Sequence, residues 1–234
     1  MNIFITGITR GMGAKIAEYL IDDCQVLLGT SKTEQGNEEQ LNNFSSLCEK
    51  FYYMPQDLSL GTQAANNLAT WAASKVEKVD CLVLNAGFYI EGDLDKFSEE
   101  DMRKNLEVNF LVNHFLVQAF LPLIKSSNKK RIIIIGSTAA YEPYPMVPSY
   151  GIAKWALRGF AINLRKEMIK HRIGVTFISP GATWTDMWEG EDLPRNRLLE
   201  PSDIAKMIKT TLQLSEQAVV EELIIRPMEG DFHE

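Results

Sequence analysis

The sequence predicts a single doubly wound α/β domain, with a parallel sheet of about seven strands and helices on both faces. Short apolar or β-branched runs alternate along the chain with longer segments of helical periodicity. A glycine-rich turn directly follows the first apolar run. No linker, internal repeat or low-complexity segment interrupts the 234 residues, so we expect one domain spanning 1–234.

Composition argues against several classes of protein. Apolar residues make up 45% and charged residues 24% of the chain, as in ordinary soluble domains. The formal net charge of −7 argues against nucleic acid or an anionic membrane as the main partner. No apolar run reaches the length of a membrane span, and the N-terminus lacks the pattern of a secretory signal.

The cysteines and histidines show no disulfide or metal signature. Cys24, Cys48 and Cys81 are odd in number and far apart, which fits a reducing cytosol and small buried side chains. The three histidines lack the spacing of metal ligands. We therefore expect a cytoplasmic protein with no metal.

The first predicted strand, Asn2–Thr6, leads into a glycine loop and then a helix. This succession forms a phosphate site, because backbone N–H groups and the positive end of the helix dipole face the anion. The spacing G-x-x-x-G-x-G is neither the commoner dinucleotide fingerprint nor a P-loop, and the alternative is a glycine turn without a ligand. The position at the first strand–helix junction favours the phosphate site. Its candidate residues are Gly7, Thr9, Arg10, Gly11, Met12 and Gly13.

The second predicted strand, Gln25–Leu28, is followed by residues that bear on the choice of cofactor. In dinucleotide-binding folds an acid near this point holds a ribose hydroxyl, but none occurs before Glu34. The residues that stand there instead are Thr30, Ser31 and Lys32. Together with Arg10, these hydroxyls and this cation suit a 2′-phosphate, so NADP is predicted and NAD stays possible. The alternative is a Lys32 that is merely solvated.

The third and fourth predicted strands end in polar residues. Phe51–Met54 ends near Asp57 and Leu58, and Asp80–Leu84 ends in Asn85-Ala86-Gly87. After them, Ser98 is the predicted N-cap of a long helix to about Ile124, with apolar side chains on more than one face.

Asn109 lies in the middle of that helix, where Asn is a poor helix former. It is either a satisfied polar residue or the mark of a helix that is locally opened for function.

Ile132–Ile135 form a β-branched run that predicts a strand buried on both faces. Ser137 follows at its carboxyl end, where open α/β sheets bind ligands. Ser149 is the predicted N-cap of the next helix, which runs to about Lys170.

Tyr150 and Lys154 are four residues apart, so they share one face of that helix. A neighbouring ammonium favours the phenolate, so we expect the Tyr150 pKa to be lowered towards the working range. The alternative is an ordinary aromatic–lysine pair on a helix surface.

The last part of the chain supplies a candidate lid. Val175–Ser179 is the sixth predicted strand and ends in Pro180-Gly181. The segment 182–200 is irregular, as expected of a substrate loop. Ser202 is the predicted cap of a short helix, and Glu222–Ile225 is the last predicted strand.

These motifs, in this order, resemble those of the short-chain dehydrogenases/reductases, and the resemblance covers the whole chain. The stretch from Val26 to Gly36 is similar to the NADPH-dependent 3-oxoacyl-carrier-protein reductases. The motifs are Thr6-Gly7-x-x-x-Gly11-x-Gly13, Asp57, Asn85-Ala86-Gly87, Asn109, Ser137, Tyr150-x-x-x-Lys154, and Pro180-Gly181 with Thr185.

The resemblance implies a Rossmann-type fold and a catalytic group of four residues. Tyr150 would be the general acid in carbonyl reduction and the base in alcohol oxidation, while Ser137 would hydrogen-bond the substrate oxygen. Lys154 would lower the Tyr150 pKa and bind the nicotinamide ribose. Asn109 would hold a water that links Lys154 to solvent.

The resemblance also implies cofactor contacts. Asp57 would bind the adenine, Asn85-Ala86-Gly87 would pack along the cofactor, and Thr185 would hold the carboxamide. Leu58 and Pro180-Gly181 belong to the same set. A homodimer or homotetramer through helices 98–124 and 149–170 is implied as well.

The substrate stays open between an aliphatic or acyl β-keto compound, a sugar-like ketone and a cyclic ketone. A non-catalytic NADP(H)-binding sensor or scaffold of the same fold is the alternative function. The aromatic and methionine side chains that line an apolar pocket, or else serve ordinary loop packing, are Tyr141, Tyr144, Met146, Trp184, Met187 and Trp188.

Overall fold

Seven parallel strands form one sheet in the computed structural model, which describes residues 1–35, 37–144, 147–188, 190 and 192–231. The strands are β1 Asn2–Thr6, β2 Val26–Thr30, β3 Phe51–Tyr53, β4 Cys81–Leu84, β5 Arg131–Ile135, β6 Gly174–Pro180 and β7 Glu222–Ile225. Their order is β3-β2-β1-β4-β5-β6-β7. The order reverses between β1 and β4, which is where open α/β sheets bind ligands. The predicted single doubly wound domain is confirmed.

The helices cover both faces of the sheet. They are α1 Gly11–Leu20, α2 Glu38–Leu47, α3 Thr62–Ala73, α4 Glu99–Leu106, α5 Val112–Lys125, α6 Pro148–Met168 and α7 Pro201–Gln213. The first core joins α3, α5 and α6 to one face of the sheet. The second core joins α1, α2 and α7 to the opposite face.

The isoleucine run of β5 shows why the sequence selects this arrangement. Ile132 and Ile134 pack in the first core, and Ile133 and Ile135 pack in the second. Successive side chains of a strand point to opposite faces, so a strand covered on both sides needs an unbroken apolar run.

Two predicted helix caps are wrong. Helix α6 begins at Pro148 with Val147 as N-cap, and Ser149 lies inside its first turn, fully buried. Helix α7 begins at Pro201 with Glu200 as N-cap, so Ser202 also lies one residue inside. In both cases a proline occupies the first helical position. Its fixed φ suits the start of a helix, and its missing N–H would have no partner there in any case, so the helix begins at the proline and not after the serine.

The predicted long helix is continuous in space but changes its winding. A π-helix, Glu107–Leu111, joins α4 to α5, and Asn109 lies in it. Helix Glu99–Lys125 has the length and hydropathy of a membrane span, which is weak evidence on its own. Its buried face packs in the first core, as the core helix of a globular domain does.

Candidate active site

The glycine loop closes around its own backbone in a way that only glycine permits. Gly7 and Gly11 have φ of 69° and 54°, in the left-handed region. A Cβ on Gly13 would lie 1.9 Å from the Gly7 carbonyl oxygen. Helix α1 therefore starts directly beneath the loop, with its N-terminal N–H groups turned towards the carboxyl edge of the sheet.

The loop is fixed to the end of β4 by Thr6 and Asn85. The Thr6 hydroxyl accepts from the backbone N–H groups of Asn85 and Ala86 at 2.9 and 3.0 Å. The Asn85 amide donates to the carbonyls of Thr6 and Gly7 at 3.0 and 3.3 Å. Asn85 Oδ1 is buried and has no hydrogen-bond partner among the described residues.

These features fit a dinucleotide phosphate and its nicotinamide half. The first turn of α1 contains Gly11, Met12 and Gly13, and Arg10 makes no side-chain cap there. Backbone N–H groups at an uncapped helix start suit a phosphate anion. The unsatisfied Asn85 oxygen suits a donor from a molecule that lies along the loop.

The residues predicted to hold a 2′-phosphate differ in their surroundings, and some of them are occupied by contacts within the protein. Thr30 is fully buried and its hydroxyl donates to the Met54 carbonyl at 2.7 Å, so this side chain supports the sheet edge. The Ser31 hydroxyl lies 3.1 Å from the Thr9 hydroxyl and 2.6 Å from the Tyr53 hydroxyl. Thr9 and Ser31 therefore tie the glycine loop to the end of β2.

The two cations of this region are exposed and paired with acids. Lys32 Nζ lies 3.0 Å from the Asp57 carboxylate, and Arg10 lies 3.3 Å from Asp186. Burial raises the pKa of Asp57, but hydrogen bonds from Ser59 and the Lys32 charge outweigh it and hold the pKa below its usual value. Asp57 is thus an acceptor at this edge. Leu58 packs below it in the first core.

Ser137, Tyr150 and Lys154 come together at the carboxyl end of β5, as predicted. Ser137 lies beside the Tyr150 phenol, where its hydroxyl acts to lower the pKa of that phenol. Lys154 Nζ lies 5.3 Å from the centre of the Tyr150 ring and donates to the Ile135 carbonyl at 3.2 Å. A hydroxyl, a phenol and an ammonium therefore meet at one point, and only 4% of Lys154 is exposed.

The pKa shifts differ from the prediction. Burial raises the pKa of Tyr150, and the Ser137 hydrogen bond offsets only part of this effect. Burial lowers the pKa of Lys154 to about 8. The expected net lowering of the Tyr150 pKa is therefore wrong for the chain alone, because desolvation of the phenolate dominates.

Asn109 is fully buried beside this group, in the π-helix. Its amide donates to the Phe88 carbonyl at 2.8 Å, and its Oδ1 accepts from the Phe88 N–H at 3.3 Å. Gly87 lies between Asn109 and Lys154, since a Cβ there would be 2.8 Å from Asn109 Oδ1 and 3.7 Å from Lys154 Nζ. Both alternatives considered for Asn109 have a counterpart here: its amide is hydrogen-bonded, and the helix is locally widened into a π-helix, a feature that is common at functional sites.

Asn105 is a residue that the sequence did not single out. It is fully buried, and its Oδ1 accepts from the Asn109 amide at 2.8 Å. The signal available in the sequence was the repeat of Asn at 105, 109 and 113, which places three amides along one side of a helix.

Thr185, in the segment 182–200, lies against the glycine loop. Thr185 packs against Gly11, because a Cβ there would meet the Thr185 methyl at 3.4 Å. The base of the segment is held by hydrogen bonds from Leu199 N to the Ala182 carbonyl and from Trp184 N to the Leu199 carbonyl, both 2.9 Å. Thr185 therefore lies near the glycine loop, as a cofactor contact would require.

Pro180 ends β6, and Gly181 follows beneath the C-terminal segment. The Gly181 N–H donates to the Ile225 carbonyl at 2.7 Å. A Cβ on Gly181 would lie 2.3 Å from Asp231 Oδ1. This close approach gives the glycine a packing role in addition to its predicted place beside the cofactor.

The predicted aromatic pocket is only partly formed. Tyr141 packs under Arg158 and hydrogen-bonds Glu222, on the outside of α6. Trp184 donates from its indole to the Arg195 carbonyl at 2.7 Å. The Tyr144 hydroxyl lies 2.9 Å from that of Thr138, next to Ser137. Met146 and the side chain of Met187 lie outside the described residues, and Trp188 is half-buried.

Residues 1–195 match the family described as short chain dehydrogenase. Because that match covers most of the chain, the protein belongs to the short-chain dehydrogenase/reductase family, as the sequence resemblance predicted. It is therefore an oxidoreductase of that family.

Individual relatives show the range of activities within this similarity. A sepiapterin reductase from Chlorobaculum tepidum is 28% identical over 99% of this chain and 98% of its own. A 3-oxoacyl-[acyl-carrier-protein] reductase from Haemophilus influenzae is 28% identical over 87% of each chain. An alcohol dehydrogenase from Thermococcus sibiricus, solved with 5-hydroxy-NADP, has a TM-score of 0.88 at 24% identity, covering 99% and 98% of the two chains. The last comparison supports the fold.

Proposed function

We propose that the protein is an NADP(H)-dependent reductase of ketones, with Tyr150 as general acid and the corresponding alcohol as product. The placement of Ser137 and Tyr150 together beside the buried Lys154 is the observation that carries this proposal. These groups lie at the carboxyl end of β5, one strand from the point where the sheet reverses. A hydroxyl, a proton donor and a cation at one point are what carbonyl reduction requires.

In the proposed reaction the Tyr150 hydroxyl donates its proton to the substrate oxygen. Ser137 donates a hydrogen bond to the same oxygen and stabilises the negative charge that develops there. The Lys154 ammonium stabilises the phenolate left on Tyr150. The nicotinamide cofactor, when bound, supplies the hydride.

The protonated phenol of Tyr150 is the form that carbonyl reduction requires. An ordinary phenol is already protonated at neutral pH, and burial raises the pKa of Tyr150 further. Alcohol oxidation would use the phenolate of the same residue. Tyr150 would regain its proton through Lys154 and a water held beside Asn109. Gly87 lies between Lys154 and Asn109, and because it has no side chain it leaves the space between them open.

The remaining cofactor contacts follow from the loops around the site. The N–H groups of Gly7 to Gly13 would hold the phosphates, Asp57 the adenine, and Asn85-Ala86-Gly87 with Thr185 the nicotinamide half. Pro180-Gly181 and Leu58 would support these contacts from below. The segment 182–200 would act as the substrate loop that excludes water.

NADP is proposed over NAD because two exposed cations flank the end of β2. The Arg10–Asp186 pair is 77% and 53% exposed, so it contributes little to stability and Arg10 is free to bind a phosphate. Calorimetric titration of Arg10→Ala is the test, with Arg103→Ala, an equally exposed arginine of α4, as control. We expect Arg10→Ala to lose about 10- to 100-fold in NADPH affinity and nothing in NADH affinity. Equal losses for both cofactors would contradict the preference.

We further propose a cytosolic homodimer or homotetramer that acts on small carbonyl compounds, without nucleic-acid or membrane partners. The three cysteines are free thiols, in keeping with a reducing compartment. The net charge of −7 would repel nucleic acid and anionic lipid.

NADPH oxidation against a panel of carbonyl compounds tests the proposed activity. The panel contains a 3-oxoacyl thioester, sepiapterin, a cyclic ketone and a sugar-like ketone. We expect turnover with at least one compound, and the preferred one identifies the substrate class. NADPH binding without oxidation by any of the four would favour a cofactor sensor instead.

A further inference from the structure

Buried amides connect the π-helix to the turn that carries Tyr150. The Asn105 amide donates to the Ser149 hydroxyl at 2.7 Å, and Asn105 Oδ1 accepts from the Asn109 amide at 2.8 Å. All three of these residues are fully buried. Ser149 directly precedes Tyr150, so this chain of hydrogen bonds ends one residue from the proposed acid.

The other end of the chain holds the loop after β4. Asn109 bonds both the carbonyl and the N–H of Phe88, the residue after Asn85-Ala86-Gly87. Three segments that meet at the site are therefore joined by amide and hydroxyl groups: this loop, the π-helix and the first turn of α6.

The first turn of α6 depends on this connection for its position. Val147 at the N-cap makes no side-chain hydrogen bond to the turn, and Pro148 at the next position has no N–H to donate. The bond from Asn105 to Ser149 joins two side chains and so is not a cap, but it fixes this turn to another helix.

We propose that Asn105 and Ser149 are positioning residues that hold Tyr150 in line with Ser137 and Lys154. This inference rests on the proposed role of Tyr150 as general acid. The Asn105 side chain suits this role because its oxygen and its amide are both used, one towards Asn109 and the other towards Ser149. Removal of either partner leaves a buried polar group unsatisfied and lets the turn shift.

If this role is correct, loss of Asn105 or Ser149 should slow the chemical step without a comparable loss of cofactor affinity. Misplacement of a reacting group by about 1 Å costs up to about 100-fold in rate. Neither Asn105 nor Ser149 is among the residues proposed to touch the cofactor, so the NADPH dissociation constant should change far less than kcat.

The test is a double-mutant cycle with Asn105→Ala, Ser149→Ala and both together. Steady-state kinetics use NADPH and the compound of the four-member panel that the wild type reduces fastest. We expect each single variant to lower kcat about 10- to 100-fold, with KM and the NADPH dissociation constant within about threefold. The double variant should lose no more than the worse single variant, because both changes break the same connection.

Two control variants separate this proposal from general destabilisation and from a failure of the proposed function. Asn2→Ala removes another buried amide, which donates to the Lys78 carbonyl at 3.0 Å at the opposite edge of the sheet. It should lower the melting temperature to a similar extent and leave kcat intact. Tyr150→Phe reports on the acid itself, and Ser149→Ala, which loses a single oxygen, keeps the cycle informative if Asn105→Ala does not fold.

Wild-type kcat in both single variants, or independent losses that multiply in the double variant, would overturn the positioning role. So would a loss that Asn2→Ala reproduces, or one confined to KM or NADPH affinity. If Tyr150→Phe retains full turnover, or the wild type reduces no compound of the panel, the proposed function fails and this inference fails with it. If Tyr150→Phe has a low kcat while the Asn105 and Ser149 variants keep the wild-type kcat, the positioning role is rejected and the proposed function stands.

Discussion

Lys154 carries a charge in a place where folding disfavours one. Its side chain is buried, and its ammonium donates to the Ile135 carbonyl and lies over the Tyr150 ring. Burial accordingly lowers its pKa to about 8 from an ordinary 10.5. Groups with strongly shifted pKa values gather at functional sites, where stability is given up for chemistry. At the residue scale, Lys154 is therefore a group whose buried charge lowers the stability of the fold.

Lys154→Met should make the cofactor-free protein more stable. The pKa shift corresponds to about 3 kcal/mol, and the lost hydrogen bond to Ile135 costs about 1 kcal/mol. We expect a net gain of about 2 kcal/mol at pH 7, measured by denaturant unfolding, together with weaker NADPH binding and loss of turnover.

The pH dependence gives this prediction its sign. Between pH 8 and 10.5 the unfolded wild type binds more protons than the folded form, so its stability rises with pH. The advantage of Lys154→Met should therefore be largest below pH 8 and vanish towards pH 10.5. An advantage that is independent of pH would show that packing, not the buried charge, is the cause.

At the scale of elements, the glycine loop and α1 form one rigid unit in which Gly13 is the tightest point. Gly13→Ala would place a methyl group 1.9 Å from the Gly7 carbonyl oxygen and 2.6 Å from the Asn85 amide. We expect a loss of about 1–3 kcal/mol in stability and loss of measurable NADPH binding in a titration.

Gly159→Ala is the matched control for this substitution. Gly159 lies in the interior of α6 with no atom within 4 Å of an added Cβ. Alanine there should raise stability by about 0.5–1 kcal/mol and leave NADPH affinity unchanged. If the two glycine variants behave alike, the contact with Gly7 does not control the loop.

Element order, the parallel doubly wound sheet and the meeting of Ser137, Tyr150 and Lys154 could be predicted from the sequence. Strand ends, a four-residue helical spacing and an isoleucine run are local signals that tertiary structure does not override. Ser149 and Thr30 could not be placed, because a small hydroxyl suits a cap, a ligand or a buried partner equally well. Their partners, Asn105 and the Met54 carbonyl, are distant in sequence and become neighbours only when the elements pack.

At the scale of the whole molecule, helix α6 presents an uncovered apolar stripe. Ile152, Trp155 and Ile162 of α6, with Ile169 directly after it, recur at helical spacing and are each about half exposed, from 45% to 53%. An exposed apolar stripe of this kind supports the proposed oligomer.

Trp155→Glu should weaken that oligomer. A carboxylate in the centre of an apolar contact leaves a buried charge without a partner. We expect light scattering at micromolar concentration to show an oligomer for the wild type and a smaller species for the variant. Leu47→Glu, at an equally exposed apolar position on α2, is the control and should change nothing. A wild type that is monomeric would contradict the proposed assembly.

The role of Tyr150 as proton donor is the central claim, and Tyr150→Phe tests it most directly. The substitution removes one hydroxyl and keeps the ring over which Lys154 lies. NADPH titration and carbonyl-reduction kinetics are measured on the wild type and the variant together. The account predicts unchanged NADPH affinity and a fall in turnover of about 10²–10⁴-fold, the usual contribution of general acid catalysis. A variant that reduces the same substrate at the wild-type rate would contradict it.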